Sequence, residues 1–350
     1  MTASEVWFAI PGDLAALTGG YGYARRLIAA LPEAGWRAHH VALPASFPDP
    51  SADDLAATRN ALARVPPDVP VLVDGLAFGA FPEDLFEALP LTWVALVHHP
   101  LARETGLADH VAARLHVSEQ LALARARTVI ATSAHTADVL RVDYGVAADR
   151  LTVAPPGTDP APRARAANPV PHLLTVATLT PRKGHADLAR ALAEIADLPW
   201  RCSWVGSADR DPPTATSVRA LIEAHGLRDR IALRGELNGP ALDAVYADAD
   251  VFVLPSKYEG YGMAFAEALA RGLPVVGCAA GAVPATVPTD AGLLVPPGDS
   301  RALGAALRRV VTDRALRAAM SAAAWAHGRR LPTWADTAAT VARALRAVAS

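Results

Sequence analysis

The chain has only two cysteines, Cys202 and Cys278, and each falls in an apolar run that reads as a strand. Thiols placed there predict buried free cysteines rather than a disulfide framework or a thiolate metal cluster. Long apolar runs are missing too, and nothing approaches the ~20 residues of a membrane-spanning helix. Met1-Thr2-Ala3-Ser4-Glu5 has neither a basic start nor a long apolar core. No signal peptide is read there, and a cytoplasmic location is the expectation. An excess of charge of either sign is absent: the formal net charge is −2. Bulk electrostatics therefore gives no case for nucleic acid as a partner. The G-x-G-x-x-G dinucleotide fingerprint does not occur either.

What is present is ample core-forming material, with 52% hydrophobic and 19% charged residues over a length of 350. That length predicts about two domains. Short apolar runs read as strands at Glu5–Ile10, Ala38–Leu43, Val69–Val73, Leu91–Val97, Thr128–Ala131 and Leu151–Val153. A glycine loop, Thr18-Gly19-Gly20-Tyr21-Gly22, precedes a helix through Leu31, and Ala134–Tyr144 reads as another helix. Composition then shifts to a proline-rich linker from Pro155 to Pro171. A second series follows: His172–Ala177, Arg201–Val205, Arg230–Leu233, Val251–Leu254, Pro274–Gly277 and Leu293–Val295, with helices at His185–Ile195, Ser217–Ala224 and Phe265–Ala270. The tail Ser300–Val348 reads as helical, interrupted at Leu331-Pro332. Continuous apolar strands alternating with helices indicate parallel sheets covered on both faces. The expectation is an α/β protein of two doubly wound domains with a ligand in the cleft between them.

Chemistry concentrates after the strand Val251–Leu254, in Pro255-Ser256-Lys257-Tyr258-Glu259-Gly260-Tyr261-Gly262-Met263-Ala264-Phe265-Ala266-Glu267. If the segment were helical throughout, eight steps would turn Glu267 roughly 80° away from Glu259. Gly260 and Gly262 predict a break instead. Glu259 then projects from a loop, and Glu267 from the first turns of a helix beginning near Met263. The start of such a helix offers open N–H groups and a positive dipole end to phosphate.

With Ala268-Leu269-Ala270-Arg271-Gly272-Leu273-Pro274-Val275-Val276-Gly277 after it, this segment resembles the E-x7-E signature of retaining glycosyltransferases of family 4, group 1. The resemblance covers nearly the whole chain. It implies the GT-B fold, two Rossmann-like doubly wound domains facing a central cleft. Residues 1–157 would form the acceptor domain, with a C-terminal helix 333–350 packed back on it, and residues 158–332 the donor domain. The implied co-substrate is a nucleoside-diphosphate sugar, on a UDP or GDP base, with no cofactor and no metal.

The same resemblance assigns roles. Glu267 accepts the two ribose hydroxyls, while Glu259 faces the transferred sugar. The backbone N–H groups of Tyr261, Gly262 and Met263 meet sugar hydroxyls or phosphate, and Gly260 is a further donor-site residue. Lys183 and Arg182, in Leu179-Thr180-Pro181-Arg182-Lys183-Gly184, neutralise the diphosphate leaving group. The family's commonest pattern has an arginine five positions before the lysine; here Thr178 stands there, and Arg182 either replaces it or points away. Gly19 and Gly20 would let the donor phosphates approach. His98, with His99 as the alternative, would bond a hydroxyl of the donor sugar. Gly206 and Arg234-Gly235-Glu236-Leu237 would approach the nucleotide. Asp248-Ala249-Asp250 looks like a metal-binding D-x-D, yet it precedes a buried strand and is expected to hold no metal. Trp334 is expected to anchor the final helix.

Catalytic residues in this scheme are His98, Glu259, Lys183 and Arg182. The acceptor, whether glycan, lipid or small molecule, is not legible, nor are the donor's base and sugar or the oligomeric state. A lipid acceptor would add a peripheral contact at the inner membrane face. Two rival readings stand: an epimerase or phosphorylase on the same fold, and a non-catalytic nucleotide-sugar-binding protein. Retention of Glu259, Lys183 and His98 together argues against the latter.

Overall fold

The computed structural model describes residues 4–349. The chain forms two compact units, one built from residues up to Gly157 together with those from Pro332 onward, the other from Thr158–Leu331.

In the first unit, β1 (Ser4–Pro11), β2 (Trp36–Leu43), β3 (Pro70–Asp74), β4 (Thr92–Val97), β5 (Thr128–Ala131) and β6 (Leu151–Val153) form a sheet in the order β2-β1-β3-β4-β5-β6. Every pairing is parallel. All residues of β3 and β5 are buried, as expected of parallel strands with both faces covered. One face packs Phe78, Phe81, Phe86 and Trp93, with the Phe86 and Trp93 rings edge to face at 5.4 Å. Because the strands are parallel, their carboxyl ends share one rim. Asp74 closes β3, and His98 follows the last residue of β4.

Gly19 and Gly20 are not a loop: they form the first turn of a helix, Gly19–Ala30. The turn is tied down because Gly22 N–H reaches the Thr18 carbonyl at 2.8 Å. A second departure concerns Leu101–His116, which the sequence offers as a loop able to choose the acceptor: from Asp109 onward it belongs to the helix Asp109–Arg125. The final helix, Trp334–Val348, belongs to this unit and begins with a reciprocal capping box between Thr333 and Asp336.

The second unit holds β7 (His172–Val176), β8 (Arg201–Val205), β9 (Ile231–Leu233), β10 (Val251–Leu254), β11 (Val275–Cys278) and β12 (Gly292–Val295), in the order β12-β11-β10-β7-β8-β9, again all parallel. Cys202 and Cys278 are buried and unbridged, and burial pushes the Cys202 thiol up to about 12. The proline-rich stretch is partly docked rather than a free linker. Ala164 N–H bonds the Arg271 carbonyl at 2.8 Å, and Asn168 reaches Asp248 and Asp250. The tail breaks at Asp313 as well as near Pro332, since the Asp313 carboxylate caps the helix Arg314–Gly328 by accepting from Leu316 N–H. Among the described residues, no helix is long and apolar enough to cross a membrane.

Candidate active site

In the second unit β10 runs into the loop 255–262, and Gly262, at φ 92°, starts the helix Met263–Ala270. No side chain caps that helix start, and a helix start of this kind offers N–H groups to a ligand. A neighbouring turn fixes the loop: Ala282 N–H donates to the Glu259 carbonyl at 2.9 Å. Gly281 has φ 58°, and a Cβ there would stand 2.2 Å from the same carbonyl oxygen.

The loop after β7 is pressed against this one. Gly184, at φ 71°, lies so close that a Cβ would be 2.1 Å from the Pro255 carbonyl oxygen, and Lys257 N–H donates to the Arg182 carbonyl at 2.7 Å. This backbone approach delivers the cations. Lys183 Nζ is 2.6 Å from Glu259 Oε1, and Arg182 Nη1 is 3.5 Å from Glu259 Oε2 while donating to the Tyr258 carbonyl at 3.1 Å. Arg182 therefore points toward Glu259 rather than away. Ser256, fully buried, donates its hydroxyl to Glu259 Oε1 at 2.6 Å. Burial pushes the Glu259 carboxyl up, but the Lys183 and Arg182 charges and the hydrogen bonds from Lys183 and Ser256 outweigh it and hold it below the usual range.

Glu267 lies half-buried on the helix Met263–Ala270. Its Oε2 already accepts the Tyr246 hydroxyl at 3.0 Å, so its two oxygens are not equivalent toward a ligand. Burial raises its carboxyl above the usual range against the pull of Tyr246 and Arg271. Gly260 is buried in the loop; the Tyr261 carbonyl accepts the Thr286 hydroxyl at 2.9 Å, and burial raises the Tyr261 phenol to about 12. At the end of β8, Gly206 N–H donates to the Gly235 carbonyl at 2.8 Å. That bond places Gly206 beside Arg234-Gly235-Glu236-Leu237, whose first three residues are exposed.

The first unit carries a separate cluster. Among these residues, Gly20 and His98 adjoin: a Cβ on Gly20 would be 3.6 Å from the His98 ring. Thr18, which precedes the helix beginning at Gly19, makes no side-chain cap. His98 stands edge to face with the buried Tyr23 ring at 5.2 Å, and its Nε2 is 3.4 Å from Asp74 Oδ2. His99 faces Glu104 instead, at 3.3 Å.

Ser256, Tyr246 and Asp74 were not singled out from the sequence. One compositional signal was available for the cation loops: Lys183 and Lys257 are the only lysines in an arginine-rich chain. Among the described residues, no three His, Cys, Asp or Glu side chains group as metal ligands would. Asp248 and Asp250 brace the opposite end of the sheet. Asp248 pairs with Arg201 at 2.7 Å, and Asp250 accepts His172 N–H at 2.8 Å.

Residues 162–326 match the family model for glycosyl transferases group 1, and residues 56–162 match that for glycosyltransferase family 4. A curated relative, the D-inositol 3-phosphate glycosyltransferase of Xylanimonas cellulosilytica, is 31% identical over 274 residues, 71% of this chain and 65% of that protein. The match thus spans less than two thirds of that relative's length. Sucrose-phosphate synthase from Thermosynechococcus elongatus superposes with a TM-score of 0.84 over 98% of each chain at 24% identity. Anabaena HepE in complex with UDP-glucose does so with a TM-score of 0.79, over 97% of this chain and 99% of HepE at 18% identity.

Proposed function

The chain belongs to glycosyltransferase family 4, group 1, with the GT-B fold, and on that premise we propose that it transfers a sugar from a nucleoside-diphosphate sugar to an acceptor hydroxyl, with retention at the anomeric carbon and without a metal ion. The observation that carries this reading is the setting of Glu259, a buried carboxylate held charged by Lys183, Arg182 and Ser256 beside an uncapped helix start. The HepE complex with UDP-glucose supports a UDP sugar as the first donor to try, with GDP sugars next. The acceptor is a glycan, lipid or small molecule. The proposed location is cytoplasmic, at the inner membrane face if the acceptor is a lipid.

In this reading the bond from the anomeric carbon to the diphosphate oxygen breaks, and the acceptor oxygen attacks from the same face. The acceptor's proton passes to the departing phosphate oxygen. Lys183 and Arg182 exchange part of their pairing with Glu259 for the diphosphate, whose charge grows as the bond breaks. Fixed cations of this kind act mainly in the transition state. Glu259 takes the transferred sugar's hydroxyls and opposes the positive charge developing at its anomeric carbon. Glu267 takes the ribose, while Gly206 and residues 234–237 flank the nucleotide. His98 bonds a sugar hydroxyl, and the open helix start at Gly19-Gly20 receives phosphate.

The test is turnover of UDP- and GDP-sugars over an acceptor panel in the presence of EDTA, with the product's anomeric configuration read by proton NMR. A product of retained configuration at undiminished rate is expected. An inverted product overturns retention, and abolition by EDTA overturns metal independence.

A further inference from the structure

We propose that Tyr246 is a positioning residue for ribose recognition, its hydroxyl fixing the plane of the Glu267 carboxylate. The inference rests on the reading of Glu267 as the ribose acceptor. Tyr246 lies on the helix Gly239–Asp248, is fully buried, and donates to Glu267 Oε2 at 3.0 Å. Its ring stacks with that of Phe252, at an interplanar angle of 17° and with centroids 6.4 Å apart.

 Arg271 closes the arrangement. Its guanidinium lies 4.3 Å from the Tyr246 ring centroid, its Nη1 donates to the Glu267 carbonyl at 3.2 Å, and its Nη2 meets Asp243 at 2.5 Å.

The terminal torsion of a glutamate is broad and close to two-fold, so an unpinned carboxylate samples many planes. A phenol held by packing on its own helix removes that freedom, and a hydrogen bond to a charged acceptor is among the stronger kind. Oε2 carries this bond, and among the described residues no hydrogen bond is made to Oε1. The ribose hydroxyls thus meet a carboxylate set in one plane. The titratable and charged groups facing Glu267 are Tyr246, Arg271 and Asp243. Burial raises the Glu267 carboxyl, Tyr246 and Arg271 lower it, and Asp243 raises it. Loss of the Tyr246 hydroxyl therefore lets Glu267 protonate at a higher pH.

The experiment measures the ratio of the dissociation constants of 2′,3′-dideoxy-UDP and UDP by calorimetry, with the GDP pair in parallel, on the wild type, Tyr246→Phe and Glu267→Gln. The isosteric Tyr246→Phe change keeps the packing and removes only the hydroxyl. Two charge-assisted bonds to ribose give a wild-type ratio of about 100-fold, and Tyr246→Phe lowers it about tenfold. The acid limb of UDP binding moves to higher pH in the same variant. A purely structural role would weaken both ligands equally, and an unchanged ratio overturns the proposal. If Glu267→Gln lowers the ratio and Tyr246→Phe does not, the positioning role alone fails. If the wild-type ratio is near one, or Glu267→Gln leaves it unchanged, the ribose reading fails and this inference with it.

Discussion

Glu259 is a buried charge whose tolerance depends on Lys183 at 2.6 Å, with Arg182 and Ser256 as further partners. Removing one partner of a buried pair leaves the other uncompensated, at a cost of about 3–5 kcal/mol. Lys183→Met is expected to lose stability toward that range in urea denaturation. Lys183→Met/Glu259→Gln should recover most of it, because the stranded charge is gone, while turnover stays at least about 100-fold down. A single variant as stable as the wild type would show that the pair does not hold Glu259. The pH sign follows from the lowered carboxyl: its contribution is full above the unfolded value and fades as pH falls through the lower folded one. Glu259, Lys183 and Arg182 were legible because they sit in short motifs beside strand ends. Tyr246 was not, since its link to Glu267 joins two separate helices across 21 positions, and no local pattern encodes that.

At the scale of elements, the strands were read within a residue or two because their apolar runs are short and continuous, and in β3, β5, β10 and β11 every residue is buried. The helix Asp109–Arg125 was hidden for the opposite reason. Its buried face includes Glu119, while Val117 and Leu121 are 53% and 62% exposed, so the helical period is blurred. The two glycines that open Gly19–Ala30 misled similarly, since glycine is a poor helix former. Glu119 lies close to a residue of the proposed site: its Oε2 accepts Leu101 N–H at 2.9 Å, three residues past His98. Burial pushes this carboxyl up to about 8. A raised carboxyl binds its proton more tightly in the folded state, so its stabilising effect is full below the unfolded pKa and is lost as pH rises toward the folded one. Between pH 5 and 8 the wild type should lose on the order of a few kcal/mol from this group. Glu119→Gln, permanently neutral, should flatten that slope in thermal melts, and an unchanged slope would show that Glu119 is charged in the fold at neutral pH.

Across the whole molecule, the chain ends in the unit where it begins, and its final helix reaches the His98 cluster through packing. Trp334 is 8% exposed and stands edge to face with Tyr23 at 5.7 Å; Tyr23 in turn meets His98 at 5.2 Å and donates its hydroxyl to the Ala154 carbonyl at 3.1 Å. Thr337 adds a hydrogen bond to the Pro155 carbonyl at 2.7 Å. The sequence offered Trp334 as an anchor but not this chain of rings, because Tyr23 and Trp334 lie at opposite ends of it. Trp334→Ala empties a large buried site, at a cost of about 3–5 kcal/mol. Hydrogen exchange should then quicken in residues 4–157, and turnover should fall about tenfold as Tyr23 loosens beneath His98. The loops proposed to bind the nucleotide belong to Thr158–Leu331, so UDP should still protect that unit from exchange, with affinity changed by no more than about twofold. If UDP affinity falls as far as turnover does, the final helix supports nucleotide binding itself rather than the His98 cluster.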